Sequence, residues 1–331
     1  MATIVPYTFE KKEESAIYYT SFVKGMKVLI ATEKPFAQEA VNGITEILEG
    51  AGHRVVKLEK YTDHAALLEA VADVDAMIVR SDKVDAEVLE AAKNLKIVVR
   101  AGAGFDNLDL EAATAHNVVA MNTPGQNSNA VAELVMGMLV YAVRNFYNGK
   151  SGSELMGKRL GILAFGNVGR NVARIAKGFG MEVMAYDAFC PAEAIESAGV
   201  KAAASQVELF EQCDIVSLHI PATAETRNSI NAELVGKMKK GAIVVNTARK
   251  EVIDEASLLS LMKERTDLKY VADIKPDMHA EYTEALAGRY FATPKKMGAQ
   301  TAEANVNAGI AAAKQIVGYL KDGITKFQLN K

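Results

Sequence analysis

The segment Gly161–Arg170 has the sequence GILAFGNVGR, and it decides the fold of this chain. It starts as a short apolar run, as in a buried strand, and the residues after Gly169 repeat apolar positions at helical spacing. Between these two parts, Ala164, Gly166 and Gly169 follow the spacing G-x-G-x-x-G, with alanine in the first place. Such a turn brings backbone N–H groups and the N-terminus of a helix close to a pyrophosphate. The segment therefore predicts a dinucleotide-binding site.

The next predicted strand supports this interpretation. Residues 182–187 have the sequence EVMAYD, which ends in an acid, Asp187, eighteen residues after Gly169. A carboxylate at this place can accept hydrogen bonds from the ribose hydroxyls of the cofactor and repels a 2′-phosphate. No arginine follows in Ala188-Phe189-Cys190 to compensate for it. The sequence therefore predicts NAD as the cofactor, in preference to NADP.

Composition and charge narrow the class of protein. Half of the 331 residues are hydrophobic, which is enough for two cores, and the formal net charge of −3 gives no basic surface for nucleic acid. The two cysteines, Cys190 and Cys213, show no metal-ligand spacing and suit a reducing compartment. The most apolar run, Ala130–Val143, contains Glu133 and is too short to span a bilayer. We expect a cytoplasmic protein with no metal and with no nucleic-acid or membrane partner.

Short aliphatic runs alternate with helical patterns from Lys27 onward. Continuous apolar strands separated by helices are typical of parallel sheets that are covered on both faces. The predicted fold class is α/β, with two Rossmann-like, doubly wound parallel-sheet domains. Phe327–Leu329 is a possible last strand. The other predicted strands are Val28–Ala31, Arg54–Leu58, Ala76–Arg80, Lys96–Arg100, Val118–Met121, Gly161–Leu163, Glu182–Asp187, Asp214–Leu218, Gly241–Asn246 and Tyr270–Asp273.

Five further motifs occur in the order found in one enzyme family. They are Arg80–Val84 (RSDKV), Arg100–Asn107 (RAGAGFDN), Asn122–Gly125 (NTPG), His219–Pro221 (HIP) and Asn246–Arg249 (NTAR). Over residues 27–330 the chain resembles the D-isomer-specific 2-hydroxyacid dehydrogenases. The resemblance is closest to the short-chain phosphoglycerate dehydrogenase branch of that family.

The resemblance implies a domain organisation. Family members interrupt the substrate domain with the cofactor domain and complete it with the C-terminal segment. We expect residues 26–121 and 302–331 to form the substrate domain, residues 122–301 the NAD-binding domain, and residues 1–25 a flexible extension. Larger members carry a serine-binding regulatory module that we do not expect here, so we expect no feedback inhibition by serine. A homodimer or larger homo-oligomer is also expected.

The resemblance also implies the roles of site residues. Arg249 matches the arginine that binds the substrate carboxylate and polarises the C2 oxygen, a role that suits a planar, permanently charged guanidinium. The implied substrate-binding residues are Lys60, Arg80 and Ser81 for a phosphate, and Gly102, Ala103 and Gly104 for the carboxylate. The implied cofactor-binding residues are Ala164, Gly166, Asn167, Val168, Gly169, Asp187, His219, Ile220, Pro221, Thr226, Thr247, Ala248 and Asp273.

The acid/base residue departs from the family pattern. Most members place a histidine after Thr-Pro, held by a glutamate, whereas residues 293–301 here have the sequence TPKKMGAQT. Aligning the Gly-Ala pair puts Lys296 at this position, as in a lysine variant of the family. We expect Arg249, the oxidised nicotinamide and partial burial to lower the pKa of Lys296 from its reference value of about 10.4. Asp277 is its candidate carboxylate partner, and His279, expected on a surface loop, is the rival acid/base.

The predicted activity is the reversible, NAD-dependent oxidation of 3-phospho-D-glycerate to 3-phosphohydroxypyruvate, the first step of serine biosynthesis. A near alternative is a hydroxypyruvate or glyoxylate reductase, which would not need Arg80, Ser81 and Lys60 to converge on a phosphate. A more distant alternative is a non-catalytic, NAD-sensing binding protein of the same fold. The absence of the usual histidine favours this last alternative, and the presence of Arg249 argues against it.

Overall fold

The computed structural model describes residues 25–330. The predicted N-terminal extension, residues 1–25, lies outside the described residues except for its last one. Residues 25–330 contain twelve strands and twelve α-helices, arranged around two separate parallel sheets.

The first sheet has five strands, and apolar residues cover both of its faces. Every residue of its strand Ala76–Val79 is buried, as is typical of a parallel sheet between two helical layers. The strands are β1 (Lys27–Thr32), β2 (Arg54–Glu59), β3 (Ala76–Val79), β4 (Ile97–Arg100) and β5 (Val119–Asn122), in the spatial order β2-β1-β3-β4-β5. The helices that connect them are α1 (Gln38–Gly50), α2 (His64–Val71), α3 (Ala86–Ala91) and α4 (Leu110–Ala115).

The second sheet has seven parallel strands. They are β6 (Arg159–Leu163), β7 (Glu182–Tyr186), β8 (Lys201–Ala202), β9 (Ile215–Leu218), β10 (Ile243–Asn246), β11 (Lys269–Ala272) and β12 (Tyr290–Ala292), in the order β12-β11-β10-β9-β6-β7-β8. The helices of this part are α5 (Ser128–Val143), α6 (Asn167–Gly178), α7 (Ala192–Glu196), α8 (Gln206–Gln212), α9 (Ala232–Gly236), α10 (Glu255–Glu264) and α11 (His279–Ala285), with 3-10 turns at Asn145–Tyr147 and Lys250–Val252. The strand order reverses at β6, the strand that carries the glycine-rich turn.

The last helix, α12 (Ala302–Asp322), returns to the first sheet. It packs against α1, β3 and β4. The side-chain hydroxyl of Thr301 caps its first turn by accepting a hydrogen bond from the N–H of Ala304, at 3.1 Å. A Cβ atom on Gly309 would lie 2.8 Å from Ile44 Cδ1, so glycine lets α12 approach α1 closely. The C-terminal segment therefore completes the first sheet's helical layer.

The prediction of two doubly wound parallel-sheet domains is confirmed. The short strands β8 and β12 were not predicted, because two or three residues carry no measurable periodicity. Phe327–Leu329 is not a strand: its pairing with β5 consists of one antiparallel bridge, between Met121 and Gln328, and a hydrogen bond from Leu329 N–H to the Ala120 carbonyl at 2.9 Å. None of the helices within residues 25–330 is long and apolar enough to cross a membrane.

Candidate active site

The glycine-rich turn after β6 has the geometry of a phosphate-binding turn. Ala164 has φ of +77°, a left-handed conformation that is uncommon for a residue other than glycine. A Cβ atom on Gly169 would lie 2.4 Å from the Ala164 carbonyl oxygen, so a glycine is required for α6 to start this close to β6. The N-cap of α6 is Gly166, whose lack of a side chain leaves the first N–H groups at Asn167 and Val168 uncapped by it. Such groups can bind a pyrophosphate.

Asp187 is fixed directly beside this turn. One of its carboxylate oxygens, Oδ2, accepts a hydrogen bond from Phe165 N–H at 2.7 Å. The other, Oδ1, accepts from the N–H groups of Phe189 and Cys190 at 2.8 and 2.9 Å. These bonds hold the carboxylate at the end of β7, next to the turn, which is the place expected for an acid that binds a ribose.

The remaining predicted cofactor residues, apart from Asp273 at the end of β11, lie on the loops that follow β9 and β10. His219 Nε2 lies 3.0 Å from Ser217 Oγ, and burial lowers the pKa of His219 to about 4, so its ring is neutral near pH 7. The Thr226 hydroxyl donates to the Pro221 carbonyl at 2.5 Å, and Ile220, in the same loop after β9, packs against the core.

Thr247 gives an independent indication of a ligand. Its buried hydroxyl oxygen has no hydrogen-bond partner anywhere in residues 25–330. Buried polar atoms are nearly always hydrogen-bonded, so a group outside this chain can supply the missing partner. Together with the turn and Asp187, this hydroxyl fits a bound dinucleotide.

Arg249 and Lys296 meet at one backbone carbonyl. Arg249 Nη1 donates to the Ala248 oxygen at 3.1 Å, and Lys296 Nζ donates to the same oxygen at 2.9 Å. Burial and, next, the positive charge of Arg249 lower the pKa of Lys296 to about 8. The site therefore holds a permanent cation beside an amine that can gain or lose a proton at mildly alkaline pH.

The turn after β4 faces this pair from the other sheet. A Cβ atom on Gly104 would lie 3.6 Å from Arg249 Nη2. Gly102 has φ of +155°, and a Cβ atom there would lie 1.4 Å from Arg100 Nη1, so the Arg100 guanidinium occupies the space that a side chain would need. Ala103 lies between these glycines, and its carbonyl accepts a hydrogen bond from Asn122 Nδ2 at 2.7 Å.

Arg100 is a site residue to which the sequence analysis assigns no role. Its Nε donates to the Arg80 carbonyl at 3.0 Å. Burial, followed by the positive charges of Arg80 and Arg249, lowers the pKa of Arg100. The signal that could have indicated a role for Arg100 is the strand register. In the parallel strands β3 and β4, Arg100 pairs with Val79, the residue that directly precedes Arg80. Three guanidinium groups therefore interact electrostatically across the cleft.

The predicted phosphate-binding residues lie at the carboxyl ends of β2 and β3. Arg80 Nη1 donates to the carbonyls of Lys34 and Pro35, both at 3.0 Å, and its Nη2 donates to Asn305 Oδ1 at 2.7 Å. These contacts use three of the five N–H donors of a guanidinium. Ser81 and Lys60 are exposed. Since β1 lies between β2 and β3, Lys60 lies at the same end of the sheet but two strands away from Arg80 and Ser81.

The candidate carboxylate partner of Lys296, Asp277, and the rival acid/base, His279, both have other contacts. Asp277 is exposed and forms an ion pair with Lys250, so the structure does not provide it as the carboxylate partner of Lys296. His279 is not on a surface loop: it starts α11, and its Nδ1 lies 2.8 Å from the Tyr290 hydroxyl. The physical reason is that the Asp277 carboxylate pairs with the Lys250 ammonium and that His279 contacts the Tyr290 hydroxyl.

Asp273 is buried at the end of β11. Both of its carboxylate oxygens accept hydrogen bonds from the loop that carries Lys296, through Thr293, Met297 and Gly298. The predicted contact of Asp273 with a nicotinamide amide remains a prediction.

Residues 136–288 match the family model described as D-isomer specific 2-hydroxyacid dehydrogenase, NAD binding domain. A D-3-phosphoglycerate dehydrogenase from Methanocaldococcus jannaschii is 35% identical over 318 residues, which are 92% of this chain and 59% of that protein. A hydroxypyruvate reductase from Thermotoga maritima is 38% identical over 281 residues, or 78% of this chain and 90% of the relative. The chain thus spans about three fifths of the archaeal relative's length and most of the bacterial one's.

Solved structures show the same likeness. The NAD+-bound 3-phosphoglycerate dehydrogenase of Entamoeba histolytica is 48% identical and superposes with a TM-score of 0.82. That superposition covers 93% of this chain and 99% of the other.

Proposed function

Since the chain belongs to the D-isomer-specific 2-hydroxyacid dehydrogenase family, we propose that it interconverts 3-phospho-D-glycerate and 3-phosphohydroxypyruvate with NAD. The resemblance predicted from the sequence motifs is confirmed by these relatives, and the matched family model is an NAD-binding domain. The main support for the proposal is that Arg249 and Lys296 both donate hydrogen bonds to the Ala248 carbonyl. Arg80 and Arg100 add positive charge on the facing sheet.

Residues of both sheets have roles in this proposal. The N-terminus of α6, Asp187 and the unpaired hydroxyl of Thr247 would hold the dinucleotide. A bound cofactor would supply the hydride chemistry, with NAD+ as the acceptor in oxidation and NADH as the donor in reduction. Arg249, which faces the Gly102–Gly104 turn, would bind the substrate carboxylate and keep C2 beside Lys296.

Lys296 would carry the proton. In oxidation its neutral amine accepts the proton of the C2 hydroxyl, and in reduction its ammonium form donates a proton to the C2 oxygen. Because the pKa of Lys296 is lowered to about 8, both forms are populated at mildly alkaline pH. The Ala248 carbonyl accepts a hydrogen bond from Nζ in either form and so orients the amine.

A phosphorylated substrate is supported by the charges on the first sheet. Arg80 has two N–H donors left after its contacts with Lys34, Pro35 and Asn305. Exposed Ser81 and Lys60 share its edge of the sheet, and half-buried Arg100 adds a further cation. A phosphate dianion would compensate charges that a neutral hydroxymethyl group could not.

We also propose that residues 26–121 with 302–331 bind the substrate and that residues 122–301 bind NAD. The return of α12 to the first sheet and the family match within the second support this division. For the whole protein we propose a cytoplasmic homo-oligomer.

The steady-state reduction of 3-phosphohydroxypyruvate, hydroxypyruvate and glyoxylate with NADH tests this function. One charge-assisted contact to the phosphate is worth about 1.5–3 kcal/mol, so kcat/KM should be at least about tenfold higher for the phosphorylated acid. The 38% identity to a hydroxypyruvate reductase makes that activity the second candidate, and a preference for hydroxypyruvate would establish it instead. NADH binding without turnover of any of the three acids would indicate the non-catalytic alternative.

A further inference from the structure

The loop that carries Lys296 has no regular secondary structure. It begins where β12 ends, with the N–H of Thr293 bonded to the Ala272 carbonyl at 3.0 Å, and it continues to Gly298. A lysine side chain on such a loop has many rotamers, so a fixed position for Nζ requires contacts that hold the loop itself.

Asp273 supplies these contacts. Its side chain is 1% exposed, and its Oδ1 accepts hydrogen bonds from the Thr293 hydroxyl at 2.8 Å and from Met297 N–H at 2.7 Å. Its Oδ2 accepts from Gly298 N–H at 2.7 Å. Consecutive N–H groups that converge in this way form an anion-binding concavity, and here the anion is the chain's own carboxylate. The three donors lie on both sides of Lys296 in the sequence.

The packing around this carboxylate leaves no room for a side chain on residue 298. A Cβ atom on Gly298 would lie 2.9 Å from Asp273 Oδ2 and 3.2 Å from Val131 Cγ2. Only glycine therefore allows the loop to close on the carboxylate. The site does not tolerate a side chain at this position without moving the loop away from Asp273.

Asp273 also connects the loop to the strand that precedes Arg249. Its N–H donates to the Asn246 carbonyl at 2.8 Å, and Ala248, two residues further, provides the oxygen that Lys296 Nζ contacts. Asp273 is thus hydrogen-bonded both to the segment that contains the Ala248 carbonyl and to the loop that contains Lys296.

We propose that Asp273 is a positioning residue, whose carboxylate holds residues 293–298 so that Lys296 Nζ faces the Ala248 carbonyl and Arg249. This inference rests on the proposed role of Lys296, and it is distinct from the predicted contact between Asp273 and a nicotinamide amide.

A loosened loop should change the ionisation of Lys296 in a defined direction. Burial lowers the pKa of Lys296 most, Arg249 lowers it further, and Asp273, Glu251 and Asp106 oppose these effects. Variants that leave all four charged groups in place but release the loop would return Nζ to water and away from Arg249. The pKa of Lys296 should then rise towards the ordinary value of 10.5.

The test is competitive acetylation of Lys296 across a pH range, read by mass spectrometry on the protein without added cofactor. Thr293→Val removes the hydroxyl donor at similar volume, Gly298→Ala places a methyl group against Asp273, and Thr293→Ser is the matched control that keeps the donor. The parent and Thr293→Ser should show a midpoint at about pH 8. Thr293→Val and Gly298→Ala should shift it upward by about one unit, which is about a tenfold loss of reactivity below the midpoint.

Folding and function are separated by further readouts. Far-UV circular dichroism and thermal unfolding verify that each variant is folded. If only one of Thr293→Val and Gly298→Ala folds, that variant alone is sufficient for the test. An unchanged midpoint in a folded variant overturns the positioning role of Asp273. Because acetylation needs no turnover, this result is independent of the proposed function, which fails separately if Lys296→Ala keeps the parent's activity.

Discussion

Replacing Lys296 by alanine is the most informative perturbation of the proposed mechanism. The neighbouring Lys295 is exposed and provides a matched control, Lys295→Ala, that removes the same charge from the same loop. Lys296 contacts the Ala248 carbonyl beside Arg249, so its loss should affect proton transfer while leaving the glycine-rich turn that would bind NADH intact.

The lowered pKa of Lys296, about 8 instead of 10.5, determines how much of the neutral base is present. At pH 7.5 an ordinary lysine is roughly 0.1% neutral, whereas one with a pKa of about 8 is roughly one quarter neutral. The site therefore makes the base about two hundredfold more available. General acid–base catalysis is worth roughly 10²–10⁴-fold, and Lys296→Ala should lower kcat by an amount in that range.

The kcat of the parent should depend on pH with opposite signs in the two reaction directions. In the reductive direction the ammonium form is required, so kcat should be constant below about pH 8 and fall above it. In the oxidative direction the neutral amine is required, so kcat should rise with pH and level off above the same value. Steady-state profiles in both directions, together with NADH titration by fluorescence for each variant, provide the measurement.

Two results would refute this assignment. The first is a Lys296→Ala variant that keeps most of its turnover while His279→Ala loses it. The second is a profile with its midpoint near pH ~6.5, the ordinary pKa of histidine.

Three further predictions concern the cofactor, the phosphate and the fold. The parent should prefer NAD to NADP by at least about tenfold, or ~1.4 kcal/mol, and Asp187→Ala should reduce that preference; equal efficiency of the parent with both cofactors would contradict the role of Asp187. Arg80→Ala should cost roughly 1.5–3 kcal/mol in kcat/KM for 3-phosphohydroxypyruvate and far less for hydroxypyruvate, and an equal loss on both acids would point to a general disturbance of the site. Thr301→Ala should lower the free energy of unfolding by about 1 kcal/mol, because it removes the cap of α12, whereas Thr301→Ser should have little effect in the same denaturant titration.

The fold could be predicted from the sequence because its signals are local. Runs such as Val28–Ala31 are continuous and apolar, and such runs indicate buried parallel strands without knowledge of their partners. The glycine spacing at Ala164, Gly166 and Gly169 reports a turn whose close contact, Gly169 against the Ala164 carbonyl, also lies within a few residues. Local patterns of this kind can be recognised without any information on tertiary structure.

The site could be predicted only in part, because its contacts join distant segments. The position of Lys296 followed from a motif alignment, but its acceptor, the Ala248 carbonyl, is 48 residues away, and no local pattern indicates it. The position of Asp277 in the sequence, soon after Asp273, predicts it as a partner of Lys296, whereas the structure pairs it with Lys250. Arg100 went unrecognised because its role depends on how β4 lies beside β3.

We propose that this member of the family acts on a phosphorylated hydroxyacid, and the most direct measurement of this compares 3-phospho-D-glycerate with D-glycerate. Both are oxidised with NAD at pH ~9, above the lowered pKa of Lys296, so that proton acceptance limits neither reaction. We expect kcat/KM to be at least about tenfold higher for 3-phospho-D-glycerate, because one charge-assisted contact of the phosphate is worth about 1.5 kcal/mol or more. Equal efficiency with the two acids, or a preference for D-glycerate, would contradict the proposed substrate.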